Sequence, residues 1–492
     1  MTNRILKTTI TATALAALVP LAAQAQPAEV IAGLHGEPDS LNPLYDTNLP
    51  ALNIYYNVFD RLATIDGNGD VVPDLATSWS FNDTLDQWTF TLAEGMTCQD
   101  GAPMDSSDVK FTFDSAMGDS TSRLGGYLGL VDTVEAPSPT QVVINLKSAF
   151  APFDRQVSLI PIVCQEAYEE MGKEAFGRKP IGSGPYQVTN WVSGDSIEMV
   201  RYDGFWGDAA KYDKVTFKPI PDETTRAAAV QSGDVDVALL GPAQVDGVKQ
   251  QGSVDVVAQD ANRVVFLGFN GGAPFLGDQK MRKAVDLSID RTLISQRLLN
   301  GAATPTAQII APVTFGFDPT MEPTKADVEA AKALVQEAGY DGTPIKISYP
   351  TTGLPQIDQL AQAIAYFMDQ IGVKTELDPM EQNTFYGNWF GKSFPGIFIF
   401  AFAPSVMDAH LPFYMLLAKD QQGYIYDDRI DTLMAKQVGE NDAEARAADL
   451  AEISAINAER TIYAPLFIDS YIYGVSKDID WSPRPDGMMV FR

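Results

Sequence analysis

Histidine is the side chain most often used for proton transfer near neutral pH, and this sequence has only two, His35 and His410. A hydrolytic triad or a histidine-based zinc site would have to use one of them. The sequence contains neither the G-x-S-x-G turn of serine hydrolases nor the H-E-x-x-H pair of zinc peptidases. We therefore expect structural or solvated roles for both histidines, and neither catalysis nor a cofactor.

Carboxylates leave one enzymatic alternative open. The chain has 64 aspartate and glutamate residues, so a secreted hydrolase that works with two buried carboxylates is compatible with the composition. No motif in the sequence supports this alternative.

Three stretches imitate binding loops. Residues 387–393 (GNWFGKS) resemble a phosphate loop but have three residues between the glycines where four are needed. Residues 66–70 (DGNGD) imitate the start of a calcium loop, but its sixth position is Val71 instead of Gly and its twelfth is Thr77 instead of Glu. Residues 182–186 (GSGPY) are either an anion-binding nest or a tight turn before a strand, and we favour the turn.

The two cysteines, Cys98 and Cys164, form either a disulfide or two separately buried thiols. An oxidising compartment permits the disulfide. The Cα–Cα distance that decides between the two cannot be read from the sequence, so both alternatives stay open.

The first residues are typical of a secretory leader. Arg4 and Lys7 precede an uncharged, mostly apolar run over residues 8–23, and residues 23–25 (AQA) fit the small-x-small cleavage pattern. No cysteine stands directly after this run, so we expect a chain that begins near Gln26 and carries no lipid anchor. A retained membrane anchor is the alternative, but the run is short and rich in Ala and Thr for a span.

Length and charge restrict the partners and the architecture. The chain of 492 residues is too long for one hydrophobic core, which predicts two or three lobes. A hydrophobic fraction of 45% is typical of a globular protein. The formal net charge of −29 repels phosphate backbones and anionic lipids. We therefore expect no nucleic-acid partner and no direct membrane insertion.

Hydrophobic periodicity predicts the elements that carry these residues. Apolar residues alternate at 88–92 and 142–146, and these segments are predicted as half-buried strands, with a further strand over 215–220. Helix and strand periods then alternate in the second half of the sequence, which predicts an α/β lobe with crossover connections.

One helix–strand unit of the second half has clear boundary signals. Thr324 is predicted to cap a helix that stops at Gly339, and a strand follows over 345–349. The unit repeats with a helix over 360–371 and a strand over 373–377.

Six sequence blocks then follow one another along nearly all of the chain after the leader. They lie at residues 36–43 (GEPDSLNP), 71–79 (VVPDLATSW), 100–111 (DGAP followed by DVKF), 180–207 (GSGPY followed by W, GDS and FWG), 225–236 (TRAAA followed by GDVD) and 269–291 (FN followed by MRKAV and IDR). In this order and spacing they resemble the peptide/nickel class of ABC-importer solute-binding proteins, which includes dipeptide and oligopeptide carriers.

The resemblance implies an α/β, two-lobed periplasmic-binding-protein fold with a hinge and an extra subdomain in the first lobe. The implied boundaries are a leader at 1–25, first-lobe segments at 26–61 and 178–265, the extra subdomain at 62–177, the second lobe at 266–473 and a return to the first lobe at 474–492. Hinge crossings are expected near 264–270 and 472–475.

The resemblance also suggests where a ligand binds. Peptide carriers of this class hold the peptide's α-ammonium with an aspartate in the second lobe, and the matching position here falls near Pro404 or Ser405. Asp408 follows slightly later, so either it takes over this contact or the ligand has no α-amino group. The expected ligand-binding residues are Tyr45, Asn270, Trp389, Phe402, Ser405 and Asp408.

The aromatic residues of this set have two possible roles. Tyr45, Trp389 and Phe402 either form cleft walls or simply pack in the core. The class also includes nickel carriers, for which His410 is the only candidate ligand near this stretch. The residues themselves predict no metal site.

We accordingly expect a monomeric periplasmic protein that captures a small solute, above all a short peptide or peptide-like molecule. Closure of the lobes would bury the ligand and present it to the permease subunits of an ABC importer. An oligosaccharide, an opine or another non-peptide ligand is the alternative within this fold. A sensor or a chaperone partner built on the same fold is a further alternative.

Overall fold

The computed structural model describes residues 29–492 apart from Pro355 and Gln422. The expected leader at 1–25 lies outside the described residues. Among the helices of the described part, none is both long enough and apolar enough to cross a membrane.

Seventeen strands are present in the described part of the chain. They are β1 (Glu29–Leu34), β2 (Ala63–Ile65), β3 (Val71–Pro73), β4 (Ala76–Phe81), β5 (Gln87–Leu92), β6 (Val131–Ser138), β7 (Gln141–Leu146), β8 (Tyr186–Val192), β9 (Ser196–Arg201), β10 (Lys214–Pro219), β11 (Val237–Leu240), β12 (Val254–Phe269), β13 (Thr304–Pro305), β14 (Ile345–Pro350), β15 (Thr375–Met380), β16 (Ile397–Phe402) and β17 (Tyr463–Ser476).

Fourteen α-helices lie between them in residues 29–492. They are α1 (Leu49–Val58), α2 (Ser106–Gly118), α3 (Phe153–Gln156), α4 (Gln165–Phe176), α5 (Glu223–Ser232), α6 (Val245–Gln251), α7 (Gln279–Ser288), α8 (Arg291–Leu293), α9 (Val328–Glu337), α10 (Ile357–Gln370), α11 (Gln382–Phe390), α12 (His410–Leu417), α13 (Asp428–Gln437) and α14 (Ala443–Arg460). Short 3-10 turns at Leu124–Tyr127, Val157–Leu159 and Pro242–Gln244 and a π-helical turn at Ile294–Leu298 complete the set.

Two long strands, β12 and β17, join the two lobes. They lie side by side in the middle of an eleven-stranded sheet with the order β15-β14-β16-β12-β17-β11-β1-β10-β9-β8, to which β13 adds by pairing with β17. The C-terminal part of β17 pairs with β11 in the first lobe, and the C-terminal part of β12 pairs with β16 in the second lobe. The fold is therefore a two-lobed periplasmic-binding-protein fold, in agreement with the predicted class.

Alternation along β12 places its side chains in two separate cores of the second lobe. Val265, Leu267 and Phe269 pack into one cluster, whereas Val264 and Phe266 pack into the other on the opposite face of the sheet. A strand buried on both faces has this pattern because successive side chains point to opposite sides. The second lobe thus has helices on both faces of its half of the sheet.

Gly268 continues the alternation at a place where no side chain fits. A Cβ at this position would lie 2.0 Å from the Phe398 ring of the neighbouring strand β16. The glycine therefore lets this ring pack directly against the backbone of β12.

The first lobe carries a separate four-stranded sheet with the order β4-β5-β7-β6, packed against α2, which in turn contacts α4. The disulfide Cys98–Cys164 ties the loop after β5 to the start of α4. This sheet lies within the expected extra subdomain, whose exact limits, like the other domain boundaries, stay predictions.

Most of the predicted elements are present. The strands expected at 88–92, 142–146, 215–220 and 345–349 correspond to β5, β7, β10 and β14, and the helix expected at 360–371 corresponds to α10. Residues 387–390 belong to helix α11, and residues 183–185 form a bend before β8, which begins at Tyr186.

The predicted helix cap at Thr324 is wrong. The side chain that accepts from the first turn of α9 is Asp327, which bonds the backbone N–H of Ala330 at 2.9 Å. Thr324 lies three residues before this cap and donates its hydroxyl hydrogen to Asp286 at 3.0 Å. The stop at Gly339 is confirmed by its φ of +68°.

Candidate functional site

A bulge in β12 forms the floor of the cleft between the lobes. The pairing of β12 with β17 is regular up to Asp260 and resumes at Val264, so residues 261–263 are left out of the register. A bulge of this kind redirects side chains. Asn262 and Arg263 project from it and line the cleft, and Asn262 donates to the carbonyl oxygen of Pro404 at 3.0 Å.

Two cavities make up this cleft. The first, of about 350 Å³, lies between the lobes and is lined by Pro43, Asp46, Thr47, Leu49, Leu52, Tyr55, Tyr56, Arg61, Leu124, Tyr127, Ser158, Leu159, Pro161, Asn262, Arg263, Ala403, Pro404, Ser405, Tyr471, Asp486 and Met488. The second, of about 380 Å³, lies in the second lobe and is lined by Arg263, Pro350, Thr352, Gly353, Leu354, Gln382, Phe385, Tyr386, Trp389, Phe390, Ile399, Phe400, Ala401, Phe402, Ala403 and Met415. Arg263 and Ala403 belong to both cavities, so the two adjoin.

Arg263 is the charged residue at this junction. Its guanidinium forms an ion pair with the buried carboxylate of Asp469 on the neighbouring strand. Burial alone would lower the pKa of Arg263, but the Asp469 carboxylate overcomes this and raises the pKa above its ordinary value. Arg263 therefore stays cationic in the cleft, with Asp469 fixing its direction.

Arg61 lines the cleft from the first lobe and is 2% exposed. It follows helix α1, and its guanidinium carbon lies 3.9 Å from the centre of the Tyr56 ring. Burial lowers the pKa of Arg61 from its ordinary value, and the side chain donates to the carbonyl oxygen of Phe59 at 3.4 Å. A cation over an aromatic face in a desolvated site gains electrostatic stabilisation from the ring.

The carboxylates nearest Arg61 are occupied by another cation. Arg492 approaches Asp60 at 3.1 Å and Asp74 at 3.7 Å. Burial and the nearby charge of Asp60 raise the pKa of Asp74 to about 7. A second buried carboxylate nearby disfavours the ionised form of Asp74.

Aromatic rings form the wall of the second cavity. Trp389 is buried and stacks on Phe400 with ring centres 4.2 Å apart, whereas Tyr386 and Phe390 of the same helix are exposed. Phe402 is half-buried at the end of β16. This wall offers flat apolar surface next to the cation of Arg263.

Three of the residues predicted for the site lie together in the cleft. Trp389 and Phe402 line the second cavity and Ser405 lines the first. Their direct contact with a ligand stays a prediction.

Tyr45 and Asn270 lie elsewhere. Tyr45 donates its hydroxyl hydrogen to Asp119 at 2.7 Å and has Lys173 over its ring, in a surface groove of the first lobe. Asn270 lies beyond the end of β12 and donates to the carbonyl oxygen of Phe394 at 2.6 Å. Neither residue is among those that line the two cleft cavities.

The expected ammonium-binding role of Asp408 does not fit its surroundings. Asp408 is 1% exposed and accepts two hydrogen bonds from Arg446, at 2.7 and 2.8 Å. Burial raises the pKa of Asp408, but the Arg446 guanidinium outweighs this and holds it below its ordinary value. A carboxylate buried this deeply needs a partner cation, and the chain itself provides one.

His410 also lies away from the cleft. Its ring is within 2.6 Å of the Gln437 side-chain nitrogen and packs edge-on against Phe150. Burial lowers the pKa of His410 to about 4, which keeps the ring neutral. Among the residues that the structure describes, no group of three or more His, Cys, Asp or Glu side chains could hold a metal ion.

Sequence reasoning missed the two arginines of the cleft, Arg61 and Arg263. The available signal was their position, since each stands immediately before an apolar run, at 62–63 and 264–267. A charged side chain beside a buried strand needs a functional or structural reason.

Known proteins are similar to this chain over nearly its whole length. The chain is 24% identical over 490 residues to the probable D,D-dipeptide-binding periplasmic protein DdpA of Escherichia coli, covering 96% of this chain and 94% of that protein. It is 25% identical to the nickel-binding periplasmic protein of the same organism, covering 88% and 89%. The solved structure of HbpA2 from Haemophilus parasuis has the same fold, with a TM-score of 0.86 at 20% identity over 94% of this chain and 98% of that one.

The family model described as the middle part of the bacterial extracellular solute-binding proteins, family 5, matches residues 70–424. These residues include the four-stranded sheet of the first lobe, the bulge of β12 and the aromatic wall of the second cavity. The chain therefore belongs to the family 5 bacterial extracellular solute-binding proteins.

Proposed function

We propose that this protein captures a short peptide or peptide-like solute in the cleft between its lobes and delivers it to an ABC importer. The observation that carries the proposal is the cleft itself. Side chains from both lobes line the first cavity, and the two lobes are joined by the pair of strands β12 and β17. Closure around a hinge would bury a ligand between the lobes and exclude water from its polar contacts.

The relatives support a peptide-like ligand. One is named for binding D,D-dipeptides and others for binding glutathione, which are small molecules with peptide bonds. Together the two cavities have a volume in the range of small-molecule sites. The relative named for nickel supports a metal chelate less well here, because His410 lies outside the cleft.

A non-peptide ligand remains the second candidate, and one observation favours it. Asp408, the acidic residue expected to hold an α-ammonium, is bound to Arg446. An opine or another ligand without an α-amino group would not need that contact. No observation in the cleft favours a hydrolase.

The proposal also includes the location and the partner. The leader pattern at 1–25, with Gln26 and not a cysteine directly after it, supports a periplasmic protein without a lipid anchor. Its partners would then be the permease subunits of an importer, which recognise the closed form of a monomeric carrier.

Calorimetric titration of the protein without residues 1–25 tests the proposal. Pooled di- and tripeptides are expected to bind saturably and to raise the melting temperature. Tyr386→Ala removes an exposed ring of the second cavity and should weaken binding about fivefold, since a ring contact is worth about 1 kcal/mol. Tyr366→Ala is the matched control, because Tyr366 is an exposed tyrosine on α10 that lines neither cavity.

The outcomes separate clearly. Absence of binding by any peptide would refute the peptide assignment. Equal losses of affinity in both tyrosine variants would place the ligand outside the second cavity.

A further inference from the structure

The carboxylates that line the cleft have hydrogen-bond partners within the protein, whereas its arginines have N–H donors without an acceptor. The two carboxylates that line the first cavity are Asp46 and Asp486, and both are fully engaged by the protein. Asp46 accepts from the backbone N–H groups of Asp39, Ser40 and Asn48 at 2.9, 3.1 and 2.8 Å. Asp486 is held by Arg484 at 2.7 Å and by the backbone N–H of Met488 at 3.0 Å.

The two arginines that line the same cavity have spare donors. The Nε–H groups of Arg61 and Arg263 are both buried and find no acceptor among the described residues. Arg61 makes one long hydrogen bond, of 3.4 Å, to a carbonyl oxygen, while Asp60 and Asp74 face Arg492. A guanidinium has five N–H donors, so most of those on Arg61 lack a protein partner in residues 29–492.

This imbalance has an energetic meaning. A buried N–H donor without an acceptor raises the free energy of the folded protein. An ionised acceptor on a ligand offsets this most, because charge-assisted hydrogen bonds are the strongest kind. No lining carboxylate is left to attract a cation, since both of those in the first cavity are saturated. The cleft can therefore bind an anionic group of the ligand with free N–H donors, but it has no comparable free acceptor for an ammonium group.

We infer that the cleft selects ligands by a carboxylate, bound by Arg263 at the junction of the two cavities and by Arg61 from the first cavity, and that it does not require a free α-amino group. This inference rests on the proposed function, because it concerns the ligand of the same cleft. It narrows the ligand class to small organic acids, which include N-blocked peptides and N-substituted amino acids.

Arg263 is well placed for this role for a second reason. It lies on the bulge between the paired segments of β12 and β17, where the two lobes meet, and its carboxylate partner Asp469 fixes the guanidinium from behind. A ligand carboxylate there would touch both lobes at once and favour their closure.

Matched pairs of acid and amide test the inference by calorimetry on the protein without residues 1–25. The panel contains pooled tripeptides with free or acetylated amino groups, N-carboxyalkyl amino acids and sugar acids, each as the carboxylate and as the primary amide. We expect acids to bind at least tenfold more tightly than their amides, and acetylated peptides to bind as tightly as free ones, because one charge-assisted hydrogen bond is worth a factor of about ten or more.

Each other result has a defined meaning. Equal binding of acids and amides, or a requirement for the free amino group, overturns the inference and leaves the peptide assignment intact. Binding of non-peptide acids without any peptide refutes the peptide assignment and leaves the inference intact. Binding of neutral members alone, or of none of the acids, overturns the inference.

A paired substitution tests the role of Arg263. Arg263→Gln with Asp469→Asn removes both charges of the pair, so no buried carboxylate is left without a partner. The ratio of acid to amide affinity should fall severalfold in this variant, which keeps Arg61 as the remaining cation of the first cavity. Arg201→Gln is the control, since Arg201 pairs with Asp203 and Asp213 on the surface and should leave the ratio unchanged. An unchanged ratio in the paired variant overturns the assignment to Arg263.

Discussion

Residue pairs far apart in the sequence decide which charges this protein leaves available. Asp408 lies in the stretch where an ammonium-binding aspartate was expected, yet Arg446, 38 positions later, binds it with two hydrogen bonds. Arg155 approaches the same carboxylate at 3.8 Å. The sequence alone shows the acidic residue but not its partner, because the contact depends on how helix α14 packs. Asp408 is therefore engaged by arginines of the protein itself, Arg446 in the second lobe and Arg155 in the first.

Replacing Asp408 with Asn should destabilise the protein strongly. The change leaves the buried cation of Arg446 without its counter-charge, which costs about 3–5 kcal/mol in comparable sites. Urea unfolding of Asp408→Asn measures this loss. Asp114→Asn is the control, since the exposed pair Lys110–Asp114 should contribute less than about 1 kcal/mol. A loss no larger than that of the control would contradict the structural role of Asp408.

The buried acid Asp74 should make stability depend on pH. Its pKa is raised from 3.8 to about 7 by burial and by Asp60, so the folded protein keeps this proton to a higher pH than the unfolded chain does. The stability gained from the proton is fully present below pH 3.8 and is lost as the pH rises through about 7. Between pH 5 and pH 8, the wild type should lose about 1–3 kcal/mol relative to Asp74→Asn.

Urea unfolding of both proteins at the two pH values checks this dependence. Asp114→Asn, which removes an exposed carboxylate, gives the background change. A stability difference between wild type and Asp74→Asn that stays constant, or that changes in the opposite direction, would show that Asp74 is ionised throughout.

At the scale of elements, regular periodicity was predictable and local exceptions were not. The alternation at 88–92 and 142–146 gave the strands β5 and β7 because one face of each strand is buried. The cap of α9 was misplaced by three residues, since Thr324 and Asp327 are both good capping types and packing decides between them. The bulge at 261–263 has no glycine or proline to mark it, so the arginine it directs into the cleft was missed.

The disulfide is an element-level constraint that the sequence left open. Cys98 and Cys164 close a loop with a separation of 66 residues, and in the chain-entropy account such a loop stabilises the folded state by about 4 kcal/mol. The double variant Cys98→Ala/Cys164→Ala should therefore unfold at a clearly lower urea concentration than the wild type. Under conditions in which the variant is folded, its affinity for peptides should equal that of the wild type, because neither cysteine lines the cleft cavities.

Reduction of the wild type under unfolding conditions is the companion measurement. It should lower stability to that of the double alanine variant. Equal stability of the oxidised wild type and the variant would mean that the crosslink does not constrain the unfolded chain.

Contacts of two kinds join the lobes in the part of the chain that the structure describes. One is the strand pair β12 and β17, which carries the cleft residues. The other is formed by residues 151–155, which follow the four-stranded sheet in the sequence. Here the Arg155 side chain donates to the carbonyl oxygen of Met407 at 3.0 Å, and the backbone N–H of Ala151 donates to the carbonyl oxygen of Val438 at 2.8 Å. A two-lobed fold could be predicted from the ordered sequence blocks. The second contact could not be predicted, because it joins residues more than 250 positions apart.

In the proposed binding mode, a solute lies between the lobes and contacts both of them. Hydrogen–deuterium exchange, with and without the tightest-binding member of the acid and amide panel, tests it most directly. Binding should slow exchange in the bulge at 261–263, in residues 403–405 and 382–390 of the second lobe, and in residues 56–61 of the first lobe. Protection confined to one lobe, or located away from these segments, would contradict binding of the solute between the two lobes.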